Sequence, residues 1–187
     1  NPYRDPVPTV QLLHCLENSV DGGESILADG FKAAAILREE NQANFDLLSQ
    51  TWINFRFQDK ETDLHSRVPL IEVNDNDQIV KVRFNNRSIA PINIDKHKMK
   101  AFYQAYQHYA EILTRQSIMI DFKLAQGQLV MFDNTRVFHA RKAFSTSGSR
   151  WLQGAYADVD NLYSLKSVLS RSATKSSTQN TQSKHAK

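Results

Sequence analysis

The run Gly127-Gln-Leu-Val-Met-Phe-Asp-Asn-Thr-Arg-Val-Phe-His-Ala-Arg141 is followed, after a polar turn through Gly148, by Arg150-Trp-Leu-Gln-Gly-Ala-Tyr156. It reads as three strands separated by two turns. Gln128 to Phe132 is apolar and β-prone after a glycine, Asp133 and Asn134 favour a turn, and Arg136 to Ala140 is extended again with His139 near its end. Side chains alternate across a strand, so Arg150, Leu152, Gly154 and Tyr156 share one face and Trp151, Gln153 and Ala155 the other. One face therefore carries a permanent cation and an aromatic ring. A guanidinium fork suits a carboxylate, and Gly154 leaves room for a ligand to approach the backbone. On residue type alone, Arg150 reads first as a surface ion-pair partner and His139 as a satisfied core histidine.

Working outward toward the N-terminus, Asn1 to Pro8 holds three prolines and predicts an extended loop into a strand at Val10 to Leu16. Asp21-Gly-Gly23 predicts a turn, and Glu24 to Ala28 a second strand. Asp29 is a helix cap before a pair of helices carrying Phe31, Ala34, Leu37, Phe45 and Leu48. Trp52 to Phe57, Val68 to Val73 and Gln78 to Phe84 predict strands, with Asn74 to Asp77 as a hairpin turn and Phe84-Asn85-Asn86 ending the hairpin. From the cap Asp95 a long helix runs to about Arg115, its aromatic stripe of Phe102, Tyr103, Tyr106 and Tyr109 read as core. Ile118 to Lys123 is another strand, and Asn161 to Leu169 a short closing helix. The polar residues 170–187 predict a disordered tail behind a single domain over 1–169.

Composition narrows the function classes. The net charge of +3 comes from the tail: from Arg171 onward there are four Lys/Arg and no acids, leaving 19 basic against 20 acidic groups in residues 1–170. No basic stripe argues for nucleic acid. Cys15 is the one cysteine, so no internal disulfide forms, and no apolar run is long enough to span a membrane. A cytoplasmic location is the expectation. Eight or nine strands with helices gathered in two insertions predict a mainly β protein, an antiparallel sandwich decorated by helices.

Several motifs, in order, carry a resemblance: Asn1-Pro-Tyr-Arg-Asp-Pro6, Gln11-Leu-Leu-His-Cys-Leu16, Gly22-Gly-Glu-Ser25, Phe84-Asn-Asn86, Phe132-Asp-Asn-Thr-Arg-Val-Phe-His139-Ala-Arg141, Arg150 eleven residues beyond the His, and Gln153-Gly-Ala-Tyr156-Ala-Asp158. Together they resemble the C-terminal half of the γ-butyrobetaine dioxygenase family over about residues 1 to 165. The resemblance implies a double-stranded β-helix (jelly roll), here N-terminally truncated, and an oxygenase that uses Fe(II) and 2-oxoglutarate, with ascorbate as a compatible reductant. It implies a small trimethylammonium substrate, hydroxylated from γ-butyrobetaine to L-carnitine, no nucleic-acid or membrane partner, and is compatible with a homodimer. By the same resemblance His139 is a metal ligand, Arg150 and Ser25 bind 2-oxoglutarate, and Tyr156 and Asn85 bind substrate, Tyr156 as one wall of an aromatic cage.

In that family an iron-binding His-x-Asp pair lies immediately before the segment resembling Asn1-Pro2-Tyr3, so two of three expected ligands fall outside this sequence. The other His-x-acid candidates fail, because His14 is followed by Cys15 and Leu16, and His65 by Ser66 and Arg67. The expectation is a chain inactive alone. A trimethyllysine dioxygenase and a non-catalytic β-sandwich that binds a small carboxylate are the competing readings.

Overall fold

The computed structural model describes residues 1–182. Residues Asn1–Tyr156 form one compact unit, and the remainder, containing one helix, forms a second. Ten strands and four helices follow in the order β1 (Val10–Asn18), β2 (Ser25–Asp29), α1 (Gly30–Glu40), α2 (Gln42–Gln50), β3 (Ile53–Gln58), β4 (Asp63–Val68), β5 (Ile71–Val73), β6 (Ile79–Val82), α3 (Lys96–Leu113), β7 (Met119–Phe122), β8 (Leu129–Asp133), β9 (Val137–Arg141), β10 (Arg150–Ala157) and α4 (Val159–Gln182).

Two three-stranded sheets carry the architecture, one ordered β10-β1-β8 and the other β7-β2-β9. The chain crosses between them at β1 to β2, returns at β7 to β8, and crosses twice more at β8 to β9 to β10. This alternation is the winding of a double-stranded β-helix. Register fixes the faces: β1 pairs antiparallel with β8 through Gln11 opposite Phe132 and Leu13 opposite Val130, and β2 pairs with β9 through Leu27 opposite His139 and Ser25 opposite Arg141. Ser25, Leu27, His139 and Arg141 consequently share one face of their sheet, and Ala28, Phe138 and Met119 share the other.

That second face meets the main apolar core, which lies in the inserted region. Ala33, Ala34 and Leu37 of α1, Phe45 and Leu48 of α2, Phe55 of β3 and Phe102, Ala105, Tyr109 and Ile112 of α3 are buried there. Helical spacing places these residues on one stripe of each helix. Asp29 caps α1, its Oδ1 accepting from the N–H groups of Phe31 and Lys32, and Asp95 caps α3 by accepting from His97. Tyr109 is fully buried, and its hydroxyl donates to the Gly30 carbonyl at 3.1 Å, tying α3 to the first turn of α1.

The fold class agrees with the expectation from sequence, and several boundaries differ. The segment Asp63–Val68 forms β4, paired along its length with β3, although its residues are too polar to announce a strand. Pro69 ends that strand, so the expected Val68 to Val73 strand is divided. The closing helix continues from Val159 to Gln182, across much of the stretch expected to be a disordered tail, although that stretch is rich in Ser and Thr. The last part of that expectation, residues 183–187, lies outside the described residues. No described helix is long and apolar enough to cross a membrane.

Candidate active site

Two glycines build one end of the site. Gly22 and Gly23 have φ of +78° and +75°, and a Cβ on Gly22 would stand 2.6 Å from the Ala143 carbonyl oxygen. Their smallness lets the segment after β9 close over the start of β2. The Gly23 N–H donates to the Ala143 carbonyl at 3.0 Å, the Lys142 N–H to the Glu24 carbonyl at 2.9 Å, and the Ser145 N–H to the Asp21 carbonyl at 2.9 Å. This clasp fixes Phe144 beside β2. Ser149, next to Arg150, is tied to Ser19 by a 2.9 Å backbone bond from the Ser19 N–H to its carbonyl.

Arg150 therefore starts β10 alongside the clasp. Its Nε is buried without a hydrogen-bond partner, its Cζ lies 5.7 Å from the centre of the Phe144 ring, and a Cβ on Gly23 would come within 3.2 Å of that Nε. Burial, followed by repulsion from Arg141, lowers its pKa from the ordinary arginine value. No carboxylate among the described residues pairs with it. Ser25, also expected at this locus, is buried at the start of β2, opposite Arg141 in the neighbouring strand.

His139 lies in mid-β9 with its ring 5.5 Å from that of Phe132. His139 is exposed and borders a cavity of about 610 Å3 that the sheet lines chiefly from its opposite face, through Ala28, Met119 and Phe138, together with Asn1, Phe84 and Asn85. Partial burial of the ring lowers the imidazole pKa below its ordinary value of 6.5. The ring is thus held toward the neutral form that binds metals. Asn85 stands across the same cavity, its Oδ1 accepting from the Arg87 N–H at 2.9 Å, so its amide N–H2 is the group left for a ligand.

Of the five residues singled out from sequence, the structure places His139 and Asn85 on one cavity. It places Ser25 and Arg150 on strands joined by the Gly22–Gly23 clasp. Tyr156 lies six residues along β10 from Arg150, roughly 20 Å away at strand rise, and is 49% exposed. A Cβ at Gly154 would meet the Leu13 side chain at 3.7 Å and the Leu12 carbonyl oxygen at 4.0 Å, ordinary contacts with β1. Sequence reasoning gave no role to Arg141 or Phe144. Arg141 had a usable signal, since two residues beyond His139 in a strand is the same face; Phe144 had none, being a single ring in a polar turn.

Among the described residues no group of three His, Cys, Asp or Glu side chains comes together to hold a metal. These residues do not complete an iron site by themselves, and His139 is the one expected ligand they contain.

Residues 1–156 match the family model described as taurine catabolism dioxygenase TauD, TfdA family. A γ-butyrobetaine dioxygenase from Pseudomonas sp. (strain AK-1) is 38% identical over 171 residues, covering 91% of this chain and 45% of that protein. A trimethyllysine dioxygenase from Neurospora crassa is 35% identical over 149 residues, covering 76% of this chain and 31% of that protein. The chain spans about half the length, or less, of the curated relatives it matches. A solved taurine dioxygenase from Burkholderia xenovorans has a similar fold, with a TM-score of 0.61 at 17% identity over 80% of this chain and 52% of that one.

Proposed function

Because the chain belongs to the taurine catabolism dioxygenase TauD, TfdA family, we propose that it is the C-terminal part of the catalytic domain of an Fe(II)- and 2-oxoglutarate-dependent hydroxylase, one that converts γ-butyrobetaine to L-carnitine. The observation that carries this reading is Arg150, a guanidinium without an acidic partner, its Nε buried, eleven residues beyond a histidine held toward its neutral form. A half-buried guanidinium whose enclosed Nε has no partner gains from an anion, and the outer carboxylate of 2-oxoglutarate is one of the right shape for its fork. Ser25 adds a hydroxyl donor from β2. Relatives of both kinds match, a γ-butyrobetaine dioxygenase at 38% identity and a trimethyllysine dioxygenase at 35%, and γ-butyrobetaine is the substrate this reading adopts for the test below.

In this reading His139 contributes one imidazole to the iron. Iron, when bound, would supply the oxidation of a substrate C–H to C–OH with O2 as the oxidant and oxygen source, while 2-oxoglutarate is oxidised to succinate and CO2. This chain's own residues bind and orient: Arg150 and Ser25 fix the cosubstrate, the Asn85 amide N–H2 donates to the substrate carboxylate, and the Tyr156 ring attracts the trimethylammonium group through its π face. With one imidazole in place of a three-ligand set, the 187-residue chain alone holds iron poorly and is inactive.

The test compares this chain with one extended upstream until an in-frame His-x-Asp pair is included. Iron content and γ-butyrobetaine-stimulated 2-oxoglutarate decarboxylation should both appear in the extended protein and neither in the short one. Full turnover by the short chain would refute the ligand assignment, and faster turnover of trimethyllysine by the long one would transfer the substrate assignment to the second relative. In the extended protein, Tyr156→Ala should weaken trimethylammonium binding while Tyr156→Phe, which keeps the ring, should be milder.

A further inference from the structure

We propose that Arg141 is a specificity-determining residue of the same anion site: with Arg150 it flanks the Phe144 ring, and this second guanidinium makes the site select a charged carboxylate over a neutral outer group. The inference rests on the 2-oxoglutarate reading of Arg150 and deepens it.

Both guanidiniums meet a single ring. The Cζ of Arg141 lies 4.3 Å and that of Arg150 5.7 Å from the Phe144 centroid. Two cations drawn to one ring repel each other, and the arrangement is favourable when an anion joins them. No such anion is supplied by the described residues. Two nearby acids act on Lys142 instead: Asp121 is ion-paired with its Nζ, and the Glu24 carboxylate stabilises the same ammonium through space. Register adds a third element, since Arg141 stands opposite Ser25 across the β2–β9 pair, with the hydroxyl of that buried serine on the same face.

The two arginines differ in mobility. Arg150 is half-buried with its Nε enclosed, whereas Arg141 is exposed. Arg150 is thus the fixed fork and Arg141 an outer, movable cation that adds charge without setting geometry. A carboxylate gains Coulomb energy from both, and a carboxamide of the same shape from neither. An exposed pair of this kind contributes modestly, on the order of a 1.5- to fivefold preference.

Glutarate and its diamide glutaramide test this on the 187-residue chain without metal, because neither carries the 2-oxo group that chelates iron and the diamide has no carboxylate to turn into the site. Binding is measured by isothermal titration calorimetry in every variant and, where Arg150 is present, also from its Nε–H resonance in a ¹⁵N-edited NMR titration. Glutarate should shift that resonance, and glutaramide should bind several-fold weaker. Arg141→Gln should weaken glutarate about fivefold, reduce the salt dependence of binding and narrow the gap to glutaramide, while Arg141→Lys should restore most of the affinity. Arg141 is exposed, so these substitutions leave folding intact and a thermal melt verifies it. Glutarate affinity unchanged in Arg141→Gln but lost in Arg150→Gln would overturn the role of Arg141 and leave the cosubstrate reading standing. Failure of glutarate to move the Arg150 resonance in the unsubstituted chain would overturn both.

Discussion

Replacing Gly23 with alanine separates backbone strain from placement of the guanidinium, because Gly127 provides a matched control. The two glycines have φ of +75° and +81°, so a side chain at either enters the left-handed region at a cost of about 1–2 kcal/mol. Alanine also restricts the unfolded chain, which returns about 0.4–1 kcal/mol. The net loss from strain alone is about 1 kcal/mol, equivalent to a fall of about 2–4 °C in Tm for a domain of this size. At Gly127 nothing lies within 4 Å of the added Cβ, and the effect should end there. At Gly23 the same Cβ would stand 3.2 Å from both Arg150 Nε and Phe144 Cβ, so both must yield by a few tenths of an ångström. Charged hydrogen bonds depend steeply on geometry, so Gly23→Ala should weaken glutarate binding by about tenfold, near 1.4 kcal/mol. Urea denaturation and the glutarate titration, run on both variants, give the two numbers. Equal glutarate affinity in Gly23→Ala and Gly127→Ala would refute the link between the glycine clasp and Arg150.

Three further outcomes are expected. Glu40 is hydrogen-bonded first by Arg115 and then by His108, and its carboxyl is held down at about 2; its folded pKa lies below its unfolded value near 4.5, so the stability it confers is complete above about pH 4.5 and disappears as pH falls toward 2. Urea midpoints between pH 2 and 6 should show that loss, and Glu40→Gln should flatten it. Tyr109→Phe removes the hydroxyl donor to the Gly30 carbonyl and should cost about 1 kcal/mol in equilibrium unfolding; no change would mean that water replaces the bond. The His139 ring should titrate below 6.5 by NMR, its depressed folded pKa withdrawing stability as pH drops through that range, and a midpoint above 6.5 would remove the argument for a neutral imidazole.

Much of the frame was readable from residue order, for identifiable reasons. The caps Asp29 and Asp95 mark helix starts because a carboxylate satisfies orphan N–H groups wherever it occurs. The alternation in Arg150 to Tyr156 is visible in the structure as half-buried Arg150 and Leu152 beside exposed Trp151 and Gln153. β4 escaped because Asp63, His65 and Arg67 point to solvent while only Ser66 is buried, leaving no apolar period. The grouping around Phe144 escaped for a different reason. It depends on Gly22 meeting Ala143 across more than a hundred residues, a contact that neither propensity nor periodicity encodes.

The concentration of apolar burial in the inserted helices, away from the strands that hold the candidate site, sets an order of local opening. Amide exchange reports that order residue by residue. The helix amides around Leu37, Leu48, Phe102 and Tyr109 sit in the fully enclosed cluster and should exchange only through global unfolding. Those of β9 and β10, whose residues are largely exposed, should exchange through smaller excursions. The insertion is in that sense the anchor of residues 1–156, and the strands bearing His139 and Arg150 are the part with conformational latitude to spare.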